Sequence, residues 1–218
     1  MHAPGQQHFD AIYRVVKYLK GSPGRGLLFK GRGHLHIEAF TYANWAESLV
    51  DRRSTSSYCT FVGGNLGTWR SKKQNVVAKS SAEAKFRSIA LGICEALWIR
   101  RLLEELKISS TLPMKLYCDN KAVILIAHNP TLHDWTKHVE VDNHFIKKKL
   151  KNGLICIPYI PTTEQVVDVL TKRIPTKQFD RLIDKLTMED IFKPGWGGVL
   201  KKIGLVEIIS KILGDLNV

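Results

Sequence analysis

The sequence predicts an α/β protein: a mixed five-stranded sheet with helices on its faces. Three observations predict it. Strand-like segments with turns between them cluster between residues 35 and 71, a long helical period runs from Ala82 to Leu106, and short apolar strands alternate with helices after it.

Taken in order, Phe9, Ile12, Val15, Val16 and Leu19 recur at helical spacing, and Gly21-Ser22-Pro23-Gly24 stops that helix. Gly26 to Phe29 reads as a short strand before the Gly31-Arg32-Gly33 turn. Leu35 to Ala43 alternates, Ser57 to Val62 is rich in β-formers, and Leu66 to Ser71 follows the Gly63-Gly64-Asn65 turn, a hairpin signal. Ser80 or Ser81 caps the long helix, whose apolar positions include Phe86, Ile89, Ile93, Leu97 and Leu103. Met114 to Cys118 is a strand ending at Asp119-Asn120, and the helix Lys121 to Ala127 stops before Asn129-Pro130. Thr136 to Leu150 is an amphipathic, basic helix, Leu154 to Ile160 a strand, and Gln165 to Thr171 a helix start. The order is β-β-β-α-β-α-α-β-α. Beyond it, Phe179 to Leu186 reads as helical, Pro194 to Gly198 as a break, and Val199 to Leu213 as a further amphipathic helix.

A chain of 218 residues can bury one sizeable core with appendages. No apolar run reaches about 18 residues, so no membrane span is expected. The first residues carry no apolar leader, so an intracellular protein, cytoplasmic or nuclear and not secreted, is expected. Cys59, Cys94, Cys118 and Cys156 lie in apolar segments without a C-x-x-C pair and read as free, buried thiols. The net charge of +13 points to a polyanionic partner, chiefly nucleic acid.

Acids at strand ends and at helix starts facing them are where metal sites form in α/β proteins. Glu83 sits in the first turn of the long helix, Asp119 at the end of a strand, and Asp168 in the first turn of a later helix. Any one of them alone reads as a capping or surface acid. Together, in this element order, they are a candidate site.

Several strings carry a resemblance. They are APGQQHFDAIYRVVKYLKGSPGRGLL (3–28), DRRSTSSY (51–58), WRSKKQ (69–74), SSAEAKF (80–86), LYCDNK (116–121), TKHVEVDNHF (136–145) and YIPTTEQVVDVLTK (159–172). These resemble the RNase H domain of plant copia-type retrotransposon Pol polyproteins, over roughly residues 2 to 192. The resemblance implies an RNase H-like fold with an N-terminal connection helix and a divergent C-terminal helical tail. It divides the chain into the end of a reverse transcriptase connection (1–30), an RNase H-like domain (31–175) and a tail (176–218) that diverges after about 192. It also implies hydrolysis of RNA in RNA–DNA hybrids, with four carboxylates holding two Mg²⁺ ions (or Mn²⁺), and the rest of a Pol polyprotein as context. Carried over by position, the catalytic and metal-binding acids are Glu83, Asp119 and Asp168.

The departure lies on the first strand of the hairpin region. Where the family shows Tyr-Ser/Thr-Asp-Ala-Asp-Trp-Ala, this chain reads Phe40-Thr41-Tyr42-Ala43-Asn44-Trp45-Ala46. Tyr42 holds the place of the first carboxylate, and a phenol with a pKa near 10 cannot bridge two dications. Glu38, Glu47 and Asp51 are the nearest acids, and Glu140 and Asp142 are further candidates. Lys85 stands where the family often has a second acid. Impaired hydrolysis is therefore expected. The alternatives are a catalytically dead domain that still binds nucleic acid, or a remnant of a decayed element without function.

For phosphate contacts the candidates are Arg52, Arg53, Arg70, Lys72, Lys73, Lys147 and Lys148. Trp45 offers a stacking face or a core contact, and Trp69 is expected in the core. His128, His133, His138 and His144 have neither a helical-face nor a zinc spacing, and His138 is expected to position a helix start.

Overall fold

The computed structural model describes residues 3–108, 112–129, 137–172 and 174–190, with backbone alone at 137–139. The chain divides into residues 26–189, which hold the candidate site, and residues 1–25 with 190–218, of which 3–25 and 190 are described. The expected Pro194 break, the Val199–Leu213 period, His133 and the His138 side chain lie outside the described residues.

In chain order the elements are α1 (Gln6–Gly21), β1 (Arg25–Leu27), β2 (Ile37–Asn44), β3 (Thr55–Val62), β4 (Asn65–Lys73), α2 (Ser81–Glu105), β5 (Met114–Tyr117), α3 (Lys121–His128), α4 (Lys137–Lys151), β6 (Ile155–Cys156), α5 (Val167–Thr171), α6 (Thr176–Lys185) and β7 (Met188–Asp190). The main sheet has the order β4-β3-β2-β5-β6. The hairpin strands β2, β3 and β4 pair antiparallel, and β5 and β6 join parallel on the far side of β2. This is the mixed five-stranded sheet that the sequence predicts. The last expected strand is shorter than its apolar run. Pro158 cannot donate to a ladder, and beyond Cys156 only a Cys118–Tyr159 bridge continues the pairing.

Alternation along β2 separates two layers. Ile37 and Ala39 pack with Phe86, Ile89 and Ile93 of α2, while Phe40 and Tyr42 pack on the other face with Cys59, Phe61, Val166 and Leu182. Ser80 is the α2 cap, its hydroxyl accepting from the Glu83 N–H at 3.2 Å. Gly92 lets α2 close onto β2, because a Cβ there would lie 2.5 Å from Thr41 Cγ2. Gly92→Ala gains about 1 kcal/mol of helix propensity but overpacks a buried contact at roughly 1–3 kcal/mol. The expected result is a lower denaturant midpoint; a raised one would mean that the α2–β2 contact yields freely.

Two expectations are corrected. Trp69 is 57% exposed on the edge strand β4 and not in the core. Of the free thiols, Cys59 and Cys118 are buried but Cys94 and Cys156 are exposed. No helix among the described residues is long and apolar enough to cross a membrane.

Candidate functional site

Parallel pairing of β2 with β5 aligns Phe40 with Tyr117. Two residues further along lie Tyr42, still on β2, and Asp119, just past the end of β5, so both fall at the same end of neighbouring strands. The first turn of α2 supplies Glu83 and the turn after it Lys85, while α5 supplies Asp168 and Lys172 follows at its C-terminal cap.

Two ammonium groups occupy the centre of this arrangement. Lys85 Nζ lies 4.8 Å from the Tyr42 ring centroid and Lys172 Nζ 3.4 Å from it. Cation–π contacts of this kind contribute about 0.5–2 kcal/mol each. Lys85 also donates a short hydrogen bond to Asp119 Oδ1, with both side chains largely buried. The other Asp119 oxygen accepts from the Thr162 hydroxyl at 3.3 Å. Lys172 Nζ is 2.9 Å from Asp168 Oδ1, although at an angle outside hydrogen-bonding range. Glu83 has both oxygens engaged, one by Arg87 at 2.6 Å and the other by the Lys79 N–H at 2.7 Å.

Burial pushes the Asp168 carboxyl above its usual range, Lys172 opposes this, and the charge of Asp119 adds to it. Burial works to lower the pKa of Lys172, but Tyr42 and Asp168 overcome it and hold the ammonium above its ordinary value. The charges therefore cancel locally, with Glu83 against Arg87, Asp119 against Lys85 and Asp168 against Lys172.

These residues do not fit a pair of divalent ions. The buried Asp168 oxygen that lacks a hydrogen bond suits a cation, yet Lys172 already faces it. A dication about 4 Å from an ammonium is opposed by roughly 8 kcal/mol at an effective dielectric near 20. Among the described residues no group of three or more His, Cys, Asp or Glu is placed to hold a metal.

Of the other acids, Glu38 shares the face of Tyr42 but accepts from the Tyr117 hydroxyl at 3.0 Å. Burial, and then the charge of Glu38, push the Tyr117 phenol up to about 12. Glu38→Gln is expected to bring that phenol back toward 10 in an ultraviolet titration; an unmoved midpoint would contradict the coupling. Asp51 is held well below the usual carboxylate range by Ser48 and Arg53. Asp142 is half-buried, its pKa raised by burial against the pull of Arg87, and Glu47 and Glu140 are exposed. Sequence reasoning missed Arg87 and Lys172 as partners of the site acids, although each stands four residues after its carboxylate, Arg87 on α2 and Lys172 at the cap of α5.

The predicted phosphate contacts fall in several places. Arg70, Lys72 and Lys73 line a groove of about 620 Å³ with Tyr58, Leu91 and Phe145. Arg53 pairs with Asp51 at 2.6 Å, and Lys73 lies 3.5 Å from the same carboxylate. Arg52 is exposed in a left-handed turn with φ of 55°. On α4, Lys148 is exposed and Lys147 half-buried. Trp45 is 49% exposed and donates to the Ala78 carbonyl at 3.0 Å.

No family model matches the chain. It is 36% identical over 201 residues to the retrovirus-related Pol polyprotein from transposon RE2 of Arabidopsis thaliana, covering 92% of this chain and 14% of that polyprotein. It is likewise 36% identical over 186 residues to the corresponding polyprotein of transposon RE1, covering 85% of this chain and 13% of the relative. The chain thus spans about one-seventh of the curated relatives it matches. Among solved structures, LC11-RNase H1, isolated from compost, aligns over 69% of this chain and 96% of its own, at 12% identity and a TM-score of 0.45. That likeness is too loose to bear on activity, so membership rests on the sequence relatives. On that ground, the chain belongs to the retrovirus-related Pol polyproteins of plant transposons.

Proposed function

We propose that this chain is an RNase H-like domain that binds nucleic acid, RNA–DNA hybrid in the first place, without hydrolysing it. The observation that carries the reading is Lys85, held between the Tyr42 ring and Asp119 where the family's reaction requires a divalent cation. With the first carboxylate replaced by a phenol and an ammonium in its neighbourhood, Glu83, Asp119 and Asp168 act as partners for internal cations instead of metal ligands.

Binding does not need those acids. Arg70 and Lys72 at the groove, and the exposed Arg52 and Lys148 elsewhere on the surface, meet a duplex backbone by charge, and such contacts read shape and 2′-hydroxyls, not base sequence. The test is a fluorescence titration of hybrid at several salt concentrations, run beside a cleavage assay with Mg²⁺ and Mn²⁺. The expected result is affinity that falls steeply with salt, a slope reduced by about one unit for each of Arg70→Ala and Lys72→Ala, and no product in either metal. Metal-dependent product would overturn the reading. Absence of any salt-dependent binding would favour a remnant with no selected function.

A further inference from the structure

We infer that the apolar face of α1 is a docking surface for the C-terminal segment of the same chain, residues 199–213. No residue of α1 is buried. Phe9, Ile12, Val15, Val16 and Leu19 nevertheless form one continuous stripe, and all of them stand at least 41% exposed. An amphipathic helix with its whole apolar face in water lacks the packing that gives helices most of their stability.

The occupant is indicated by where the chain goes. β1 begins four residues after α1 ends, and it pairs with β7, the last described element. The Leu28 N–H donates to the Thr187 carbonyl at 3.0 Å, and the Thr187 hydroxyl donates to the Leu28 carbonyl at 2.9 Å. The residue just after β1 thus meets the residue just before β7, so the strands run antiparallel, and Arg25 and Asp190 lie at the same end. Whatever follows Asp190 therefore starts beside the exit of α1. From there, residues 191–198 can reach about 26 Å if extended. They lead into Val199, Ile203, Val206, Ile209 and Leu213, spaced at three and four residues as a helix face requires.

The lengths match. Sixteen residues of α1 span about 24 Å, and fifteen residues from Val199 to Leu213 would span about 22 Å as a helix. Leaving from the C-terminal end of α1, the segment would run back along it, antiparallel, stripe against stripe. A second copy of the chain would have to find the same stripe by diffusion, whereas the clasp of β1 and β7 gives the tail a high local concentration.

The test is amide hydrogen exchange on the full chain, followed over residues 6–21 and 199–213. In the unaltered protein both segments should be protected, independent of protein concentration. Ile203→Asp with Ile209→Asp should speed exchange in 6–21 by roughly tenfold or more, and Ile12→Asp with Val16→Asp should do the same in 199–213. Exchange over 37–44 serves as the internal control that residues 26–189 stay folded. Exchange in 6–21 that is already fast in the unaltered chain, or unchanged by the tail variant, would overturn the inference. So would protection that appears only as concentration rises, which would assign the stripe to a second copy.

Discussion

Tyr42→Asp combined with Asn44→Asp is expected to leave the protein unable to cut RNA–DNA hybrid, and adding Lys85→Glu is expected to restore divalent-dependent cleavage. The double variant returns the carboxylates of the first strand but keeps the ammonium that binds Asp119. That ammonium opposes a dication about 4 Å away by roughly 8 kcal/mol, as much as one carboxylate at that distance attracts it, and it keeps Asp119 from the metal. Replacing Lys85 by Glu removes the cation, frees Asp119 and adds a further negative charge two residues from Glu83. A bound metal supplies several kcal/mol of charge stabilisation, and each 1.4 kcal/mol is tenfold, so the triple variant should exceed the double by about a hundredfold or more. Equal rates for the two variants, measured on labelled hybrid, would remove Lys85 from the account. If the double variant alone recovered full activity, the first-strand positions Tyr42 and Asn44 would be the whole defect.

The second large effect is on stability. Lys85→Met should destabilise the fold by roughly 3–5 kcal/mol, because it leaves the mostly buried Asp119 carboxylate without its counter-ion. Pairing it with Asp119→Asn removes the orphaned charge, and the double variant should regain most of the loss. In a denaturant titration this appears as a midpoint far below wild type for the single variant and a smaller shift for the double. A Lys85→Met protein as stable as wild type would show that the ion pair is solvent-screened and that Lys85 does not hold the site closed.

The fold was largely legible in the sequence because its elements are encoded locally. Ser80, the period from Phe86 to Leu103 and the Gly63-Gly64 turn mark the long helix and the hairpin within a few residues of where they lie. The departure at Tyr42 from the pattern of the resembled family was read from a short string, Phe40 to Ala46. What was not legible is who holds each acid. Lys85 and Asp119 are 34 positions apart, and only the parallel pairing of β2 and β5 under α2 brings them together. Trp69 shows the opposite failure. Its aromatic ring in a β-rich run suggests core, yet burial of a strand residue depends on whether a strand or helix covers it, and β4 lies at the sheet edge.

The central claim is that internal lysines stand in for metal at the carboxylates. It is tested most directly by calorimetric titration of Mn²⁺ into the unaltered protein and into the Tyr42→Asp, Asn44→Asp, Lys85→Glu variant. The account predicts no saturable binding to the first and binding to the second that Asp119→Asn abolishes. Saturable binding to the unaltered protein that Asp119→Asn removes would contradict it.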